Sequence, residues 1–479
     1  MLELYWLLLG ISYGLKSKTY LKRKSSMYYL FLGFSFLLAF SVIRFLSVVF
    51  RGLALNAITL LNSMLSAEED DVKISKIQHH AVQTIKSLCL VILVIALSVG
   101  ISYGLISLGS LWYTIDLSSF KAILAISVGA TIPFIIPFKR SKDGYSELSK
   151  LLHRMILNNY EISKKLFKRE VKKYAKDRVA KNQFLIVTGL ARAGTTSLMT
   201  DLFNTQYFCS LDYANMPFLI APNSWKKWHK PKSSKLKERS HKDGLMIGLN
   251  SVEALEEHFF KILAKDDYIK EDCLTSYNIS AKDYEDYMNY QKIIRTSDDK
   301  IYLAKNNNFM LRHHSLKTFN TDYRVVVLFR EPLTHAASLL NQHVKYKQLQ
   351  ENQPFVLEYM DWLGHHEFGL HQKQFKFSNS LIDSDKNELN FWINSWVNYY
   401  EYVATSLSDE IILICYEDYC KTPHMIMNTV LSHLQKEKVS LEREPFNNKT
   451  VVSKDFDQAL VDRANKLYNS LKAKVSYSI

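Results

Sequence analysis

The residues with the clearest chemical potential lie in the stretch FLIVTGLARAGTTSL, which runs from Phe184 to Leu198. An apolar run of strand length leads into a turn bounded by Gly189 and Gly194, and a helix start follows. Unpaired N–H groups and the positive end of the helix dipole converge at such a start, and glycine lets the backbone approach an anion closely. The pattern predicts a phosphate or sulfate site.

The cation of this predicted site stands inside the turn. A Walker A loop reads G-x-x-x-x-G-K-[ST], and the spacing of Gly189 and Gly194 fits it, but Thr195 occupies the lysine position. Arg192 supplies the charge instead, and its planar guanidinium suits bidentate contact with a phosphate or sulfate. The missing lysine argues against ATP or GTP hydrolysis.

A second anion-binding candidate lies in RVVVLFREPLTHAASLL, residues 324 to 340. Arg330 follows a predicted strand, at the edge where open α/β sheets bind ligands, and Ser338 lies in the helix that Pro332 begins. Alone, Arg330 would be read as a strand-end arginine paired with a surface carboxylate. Two such motifs in one chain favour an anion-binding role for both.

The two motifs together resemble those of the sulfotransferase family. Its 5′-phosphosulfate loop commonly reads P-R-S-G-T-T or P-K-S-G-T-T, where this chain has ARAGTT, so Ala191 and Ala193 replace a proline and a serine. Its second motif, R-[DN]-P followed by a serine, is matched except that Glu331 replaces the Asp or Asn. The resemblance covers roughly residues 181 to 479.

The resemblance implies sulfuryl transfer from 3′-phosphoadenosine 5′-phosphosulfate (PAPS) to a hydroxyl or amine, with PAPS as co-substrate and without a metal. Lys305, in the stretch IYLAKNNNFM, would act on the sulfuryl group in flight together with Arg192. Arg330 and Ser338 would hold the 3′-phosphate. The implied donor-binding residues are Gly189, Arg192, Ala193, Gly194, Thr195, Thr196, Ser197, Arg330 and Ser338.

A general base for the acceptor is less distinct. Asp212 lies near where some family members place a catalytic carboxylate. His241, Asp243 and Glu257 are alternatives, although Glu257 also reads as an exposed helix carboxylate.

Strands and helices alternate in the C-terminal part of the chain. Strand candidates at 184–188, 300–303, 324–329 and 411–416 are separated by helical stretches, including a long helix over 387–407. This alternation predicts an α/β fold with a parallel sheet over 181–479. The resemblance implies that this region is a P-loop-like sulfotransferase domain. The Lys/Ser-rich stretch from Trp225 to Lys242 is predicted to be a long loop, at a place where an acceptor could enter.

The N-terminal part of this 479-residue chain is strongly apolar. Met27–Phe50 contains one charged residue, Arg44, and Ser87–Ile115 contains none, so both are long enough to span a bilayer. The seventeen residues between Lys121 and Lys139 are marginal. We therefore expect residues 1–140 to form an all-α, multi-pass membrane region with two to three hydrophobic helices. Buried helices of a soluble domain are the alternative.

Basic residues flank this region on both sides. Residues 139–181 carry fourteen Lys or Arg and five Asp or Glu, a net +9 of the chain's formal +14, and Lys16 to Lys24 precede the first apolar run. The positive-inside rule then predicts an even number of crossings and a cytoplasmic catalytic domain.

Residues 141–180 are predicted to form a basic amphipathic linker helix, with apolar residues at helical spacing from Leu148 to Phe167. Such a helix either lies on anionic headgroups or packs on the soluble domain with its lysines in water. The expected partners are membrane lipids and a small-molecule, glycan or lipid acceptor. Nucleic acid is not expected, because the charge is juxtamembrane and no recognised motif accompanies it.

The five cysteines are dispersed, without a C-x-x-C pair, so neither a disulfide framework nor a structural zinc site is expected. The doublets at 79–80, 313–314 and 365–366 lack metal-ligand spacing and are predicted to be surface histidines. Two other function classes stay open: a P-loop small-molecule kinase, and a non-catalytic, membrane-tethered nucleotide-binding adaptor.

Overall fold

A computed structural model describes residues 28–65, 70–111, 117–135, 147–176, 178–229, 237–238, 246–247, 252–377, 381–440, 445 and 455–477. Its contacts divide the chain into two compact units, Met1–Leu151 and Leu152–Ile479.

The first unit is helical wherever it has regular structure in the described residues. Its helices are α1 (28–45), α2 (Ser47–Leu65), α3 (Asp70–Ser110) and α4 (Phe120–Ile135). Two segments, Tyr28–Phe45 and Lys73–Ser110, are long and apolar enough to cross a membrane by length and composition. A core helix would pass the same test, but only 22% and 17% of their apolar windows are buried in this chain.

Small and polar side chains hold the first unit together from inside. Gly33 in α1 and Gly129 in α4 pack backbone to backbone and leave no room for a Cβ at Gly129. The Ser98 hydroxyl of α3 donates to the Ala39 carbonyl of α1 at 2.9 Å. Helices associate through such close contacts of small residues and such hydrogen bonds where burial of apolar surface gives little driving force.

The second unit is a mixed α/β fold. Its strands are β1 (Phe184–Thr188), β2 (Phe208–Cys209), β3 (Lys237–Glu238), β4 (Met246–Ile247), β5 (Cys273–Thr275), β6 (Ile301–Lys305), β7 (Arg324–Phe329), β8 (Gln374–Lys376) and β9 (Ile411–Cys415). Its helices, with α5 crossing the boundary between units, are α5 (Glu147–Leu157), α6 (Tyr160–Tyr174), α7 (Thr195–Asn204), α8 (Pro222–Trp228), α9 (Glu257–Tyr268), α10 (Ala281–Ile294), α11 (His313–Lys317), α12 (Pro332–Asn352), α13 (Pro354–Trp362), α14 (Leu389–Thr405), α15 (Tyr416–Lys421), α16 (Pro423–His433) and α17 (Gln458–Lys472). Two 3₁₀ turns lie at Tyr213–Asn215 and Phe309–Leu311.

The central sheet confirms the predicted parallel α/β architecture. Its strand order is β2-β6-β1-β7-β9, and every pairing is parallel. Strands β1 and β6 are buried along their whole length, because helices cover both faces, so they read as continuous apolar runs. The strand predicted at 300–303 starts one residue later and ends two residues later than expected, at Lys305.

The chain changes direction across the sheet next to β1. After β1 it continues to β2 and β6 on one side, and it then crosses to β7 and β9 on the other. The connections that leave β1 and β7 therefore diverge, which opens a crevice at the carboxyl ends of these neighbouring strands. Both predicted anion motifs begin at this crevice.

The predicted linker helix is two helices. Asn159 separates α5 from α6 and caps α6, since its Oδ1 accepts from the Ile162 N–H at 3.0 Å. The inner face of α6 is buried in the second unit, where Phe167 packs edge-on against Phe259. The apolar face of α6 is therefore covered by protein, while lysines occupy its exposed face.

Two local predictions are wrong. Trp225 and Trp228 lie in α8 and not in a loop, because Pro222 starts a helical turn there. His313 and His366 are buried, at 3% and 5% exposure, while His314 is exposed. Adjacent residues point in different directions, so one member of a doublet on a buried element faces inwards.

A buried ion pair joins α9 to the segment after β6. Arg312, which has no exposed surface, donates to both carboxylate oxygens of Glu257 at 2.7 and 2.8 Å. Its guanidinium also lies 3.9 Å from the centre of the Phe260 ring. The pair fixes α9 against the chain that leaves the sheet.

We expect Arg312→Met to lower the free energy of unfolding by about 3–5 kcal/mol, because it leaves the Glu257 carboxylate buried and unpaired. The matched control is Arg463→Met, which removes an exposed pair with Glu401 and should cost under about 1 kcal/mol. Denaturant titration of the full chain in mild detergent measures both. Equal losses would contradict a special role for the buried pair.

Candidate functional site

The turn between β1 and α7, residues 189–194, is hereafter the anion loop. Three of its residues have positive φ: Gly189 at 142°, Arg192 at 72° and Gly194 at 96°. A Cβ on Gly189 would lie 2.5 Å from the Leu328 carbonyl of β7, and one on Gly194 would lie 2.6 Å from the Tyr416 ring. Both glycines are therefore required by close packing, and Arg192 tolerates a strained conformation of the kind that clusters at ligand sites.

The start of α7 provides the amide donors of the site. Thr195 to Ser197 form its first turn, whose N–H groups have no partner within the helix. Ala193 and Thr195 are buried, and the Ala193 N–H donates to the Leu190 carbonyl at 3.1 Å, which closes the turn. The helix start and its positive dipole end thus lie directly behind the anion loop.

The structure brings the two anion motifs together. Arg192 Nε lies 3.3 Å from Ser338 Oγ, and Arg330 Nη1 donates to the Arg192 carbonyl at 3.2 Å. Ser338 and Arg330 are buried at 6% and 4% exposure. Two arginines separated by more than a hundred residues in sequence therefore share one crevice.

Two aromatic residues, the partly buried Tyr416 and the fully buried Trp396, hold Arg330 in place. Its guanidinium stacks 5.0 Å from the centre of the Tyr416 ring, and its carbonyl accepts from Trp396 Nε1 at 3.1 Å. Burial lowers the pKa of Arg330, and Arg192 acts in the same direction, while Tyr416 and Glu417 oppose them. The crevice is thus a dry site in which two like charges favour an anion.

Glu331, which replaces the Asp or Asn of the family motif, caps α12. Its carboxylate accepts from the N–H groups of Leu333 and Thr334 at 3.1 and 2.8 Å. Its own N–H donates to Glu417 Oε1 at 3.1 Å. The glutamate side chain therefore accepts hydrogen bonds from the N–H groups at the start of α12, and this cap fixes the position of α12 behind Arg330.

Lys305 reaches the anion loop from the neighbouring strand. Val187 and Lys305 are register partners in β1 and β6, so the side chain emerges beside the loop. Its Nζ donates to Thr196 Oγ1 at 2.7 Å and to Glu253 Oε1 at 3.1 Å. The Lys305 and Glu253 side chains are only 9% and 10% exposed. A cation and a carboxylate therefore meet at the first turn of α7.

Sequence reasoning missed Glu253. The stretch VEALEEHFF contains three carboxylates within five residues, and nothing in the sequence distinguishes them. Only the tertiary fold shows which partner each carboxylate has. Glu257 pairs with Arg312, while Glu256 accepts from the hydroxyls of Tyr287 and Tyr302, and burial raises its pKa. Glu253 alone of the three contacts Lys305 in the described contacts.

Of the other predicted base candidates, Asp212 lies beside this carboxylate. Asp212 forms an antiparallel bridge with Val252, the residue before Glu253, and burial raises its pKa. The described contacts of Lys305 do not include Asp212. His241 and Asp243 lie outside the described residues. Glu257 is not the exposed helix carboxylate that one interpretation expected, since Arg312 and the Tyr268 hydroxyl enclose it.

Comparison with known proteins gives similarity at the level of solved structures alone. No family model matches the chain, and no curated protein matches it. Sulfotransferase STF1 from Mycobacterium tuberculosis H37Rv is similar at 14% identity and TM-score 0.39, over 69% of this chain and 82% of that chain. Sulfotransferase STF9 from Mycobacterium avium is similar at 12% identity and TM-score 0.37, over 75% and 84%. A sulfotransferase from Alicyclobacillus acidocaldarius is similar at 12% identity and TM-score 0.33, over 63% and 98%.

Among the described residues, no group of three or more His, Cys, Asp or Glu side chains is arranged to hold a metal ion.

His335 is a further site residue that the sequence did not reveal. It is fully buried in α12, and its Nε2–H donates to the Ala191 carbonyl of the anion loop at 2.8 Å. Burial lowers its pKa to about 3, and Arg330 and Arg192 act in the same direction. His335 is therefore a neutral donor that holds the loop carbonyl away from the anion side.

We expect His335→Gln to weaken the acid sensitivity of folding. The pKa of His335 is lower in the folded state than its ordinary 6.5, so its contribution to stability is full above that value and declines as pH falls towards 3. Gln keeps a donor for Ala191 but does not titrate. Between pH 7 and pH 5 the variant should lose about 2 kcal/mol less of the free energy of unfolding than the parent.

Denaturant titrations at the two pH values measure this difference. His314→Gln, at an exposed histidine, is the matched control and should leave the pH dependence unchanged. The same pH dependence in His335→Gln and in the parent would show that His335 is not held neutral.

Proposed function

We propose that this chain transfers a sulfuryl group from PAPS to a hydroxyl or amine of a glycan or lipid-linked acceptor at a membrane. One constellation carries the proposal: Arg330 and Ser338 meet Arg192 at the anion loop, and Lys305 reaches the first turn of α7, which follows this loop. Anionic oxygens at both ends of a doubly phosphorylated adenosine match this distribution of donors.

The donor would lie along the crevice with its ends on different arginines. Arg192, Thr195, Thr196 and the amides of the first turn of α7 would hold the 5′-phosphosulfate. Arg330 with Ser338 would fix the 3′-phosphate. Held in this way, the sulfur atom is presented to an acceptor oxygen or nitrogen in line with the phosphate leaving group.

Lys305 would neutralise the charge that develops during transfer. As the acceptor oxygen bonds to sulfur, the bond between sulfur and the 5′-phosphate oxygen breaks, and negative charge grows on the leaving 3′,5′-ADP. The Lys305 ammonium already lies at Thr196, where this charge would appear. Cations fixed in a water-poor site stabilise such charge at little reorganisation cost.

Glu253 would accept the proton of the acceptor. It is the carboxylate that touches Lys305, and the hydroxyl of Tyr213 lies 3.4 Å from its Oε2. A base must reach the acceptor atom next to the sulfuryl group, and contact with Lys305 supports that placement. Asp212, the base proposed from sequence, is not among the described contacts of Lys305, so the proposal gives this role to Glu253.

Substitutions at the two strand ends should separate donor binding from transfer. Arg330→Met should weaken binding of 3′,5′-ADP by about 10- to 100-fold, because it removes a charged contact with the 3′-phosphate. Lys305→Met should lower turnover by about 100- to 1,000-fold and change 3′,5′-ADP binding little. Isothermal titration measures binding, and radiolabelled PAPS with lipid and polysaccharide extracts measures transfer.

Matched controls lie at the opposite ends of the same strands. Lys300→Met precedes β6, Arg324→Met begins β7, and both should behave like the parent. If Lys305→Met turned over normally, the role given to Lys305 would be wrong. Binding of ATP in preference to 3′,5′-ADP would favour the kinase alternative.

Glu253→Gln keeps a hydrogen-bond acceptor for Lys305 but cannot take a proton. We expect it to lower turnover by about 100- to 10,000-fold with a sugar or alcohol acceptor. The rise of the rate with pH, which reports deprotonation of the base, should disappear. A phenol acceptor, which loses its proton readily, should be much less affected.

Asp212→Asn is the control for the Glu253 variant, and it should keep both turnover and the pH profile. The reverse result, with Asp212→Asn inactive and Glu253→Gln active, would return the base to Asp212. Thermal melting of both variants separates loss of chemistry from loss of fold.

The membrane context rests on the first unit. Its two long apolar helices expose large side chains, such as Leu93 and Val99 at 61% each, and water would not favour such a surface. A membrane anchor would keep the enzyme close to membrane-bound acceptors. A multi-pass arrangement with the catalytic unit in the cytoplasm stays a prediction from the charge pattern.

A further inference from the structure

A group of exposed basic and aromatic side chains lies where α6 and α8 end. We call it the basic–aromatic patch, and its members are Lys172, Lys173, Lys176, Lys226, Lys227, Trp228 and His229. Trp228 is 88% exposed, the highest fraction of any large hydrophobic side chain in the described residues.

A buried carboxylate fixes the two helices against each other. Glu170 of α6 is 1% exposed and accepts from the N–H groups of Asn223 and Ser224 at 2.7 and 3.1 Å, and from the Ser224 hydroxyl. These three bonds hold the first turn of α8 on α6. The patch is therefore a preformed surface and not a chance meeting of mobile lysines.

Lysines of the two helices crowd the same ring. The Nζ atoms of Lys173 and Lys227 each lie 5.4 Å from the centre of the Tyr174 ring. Two ammonium groups beside one ring place positive charge from both helices in one area, and this charge attracts an external anion. The patch thus favours an anionic partner.

The two tryptophans of α8 have different surroundings. Trp225 is stacked between Phe218 and His229 at 4.7 and 4.8 Å, and its Nε1 donates to the Ala214 carbonyl. Trp225 is thus part of the packing. No such contact is described for Trp228, which projects a large apolar ring among lysines.

We propose that the basic–aromatic patch docks on the anionic headgroups of a membrane, with the Trp228 ring at the interface. Tryptophan and lysine are the residues that favour this zone, and each lysine near an anionic surface adds attraction. A membrane is favoured over a soluble anion because the same chain carries two helices long and apolar enough to cross one. The inference rests on the membrane part of the proposed function.

The patch adjoins the acceptor side of the crevice. Lys226 lowers the pKa of Asp212, although burial outweighs it, and Trp225 contacts the 3₁₀ turn that follows Asp212. Asp212 bridges to Val252, next to Glu253. Docking through the patch would therefore hold the transfer centre close to the headgroups, which suits a lipid-linked hydroxyl acceptor.

The test uses the full chain in phosphatidylcholine vesicles with or without phosphatidylglycerol, and with lipids brominated near the headgroup. The chain has seven tryptophans, so the signal of Trp228 is the quenching that Trp228→Phe removes. We expect this difference to be large in anionic vesicles and near zero in neutral ones. Equal quenching of the parent and Trp228→Phe in anionic vesicles would overturn the proposal.

A charge-matched pair of variants tests the lysines. Replacing Lys172, Lys173, Lys226 and Lys227 by Gln should weaken docking by about fivefold per lysine and abolish the Trp228 difference. Replacing Lys270, Lys376, Lys421 and Lys438, exposed lysines of other elements, should leave it intact. A loss in both variants would indicate a general charge effect and contradict the patch.

Two further measurements keep the outcomes apart. Flotation of the same vesicles reports whether the chain is in the membrane at all, and 3′,5′-ADP titration reports the donor site. Quenching of Trp228 without binding of 3′,5′-ADP would contradict the proposed function but support the docking surface. A Trp228 response to soluble dextran sulfate, with none to anionic vesicles, would assign the patch to a polyanionic glycan instead.

Discussion

The candidate site depends on how the carbonyl groups of the anion loop are held. A loop can present N–H groups to an anion only if its carbonyls turn away, and here His335 and Arg330 take the carbonyls of Ala191 and Arg192. The second anion motif therefore supports the first, in addition to any contact of its own with a ligand. Arg192 keeps its positive φ because these hydrogen bonds fix the carbonyl groups of both peptide units that flank its Cα.

The same arrangement explains why so much aromatic surface surrounds the crevice. Arg330 is buried near another arginine, which disfavours its charge, and the Tyr416 ring and the nearby Glu417 offset this cost. Glu417 is held in turn by the hydroxyl of Tyr468 from α17. The last described helix of the chain thus supports the Arg330 side of the crevice, although it is far from Arg330 in sequence.

The Lys305 side of the crevice is built on a different principle. Lys305 and Glu253 compensate each other's charge at low exposure, so a cation and a carboxylate lie side by side there. The 3₁₀ turn after Asp212 and helix α8, which carries the exposed Trp228, lie on the Lys305 side of the crevice. Arg330 and Lys305 lie at the ends of the strands on opposite sides of β1, so in the proposed function donor recognition and acceptor approach would use different sides of this strand.

The sequence by itself determined the parallel α/β fold and the positions of the two anion motifs, because buried strands are continuous apolar runs and glycine turns have few other uses. It also placed Arg330 and Lys305 at strand ends, Arg192 in the turn before a helix and Ser338 within the helix after Arg330, where the structure has them. Only the tertiary structure separated Glu253 from Glu256 and Glu257, and showed the buried role of His335, because these depend on neighbours distant in sequence. Periodicity records which face of an element is apolar, but the partner of a buried polar group is decided by packing.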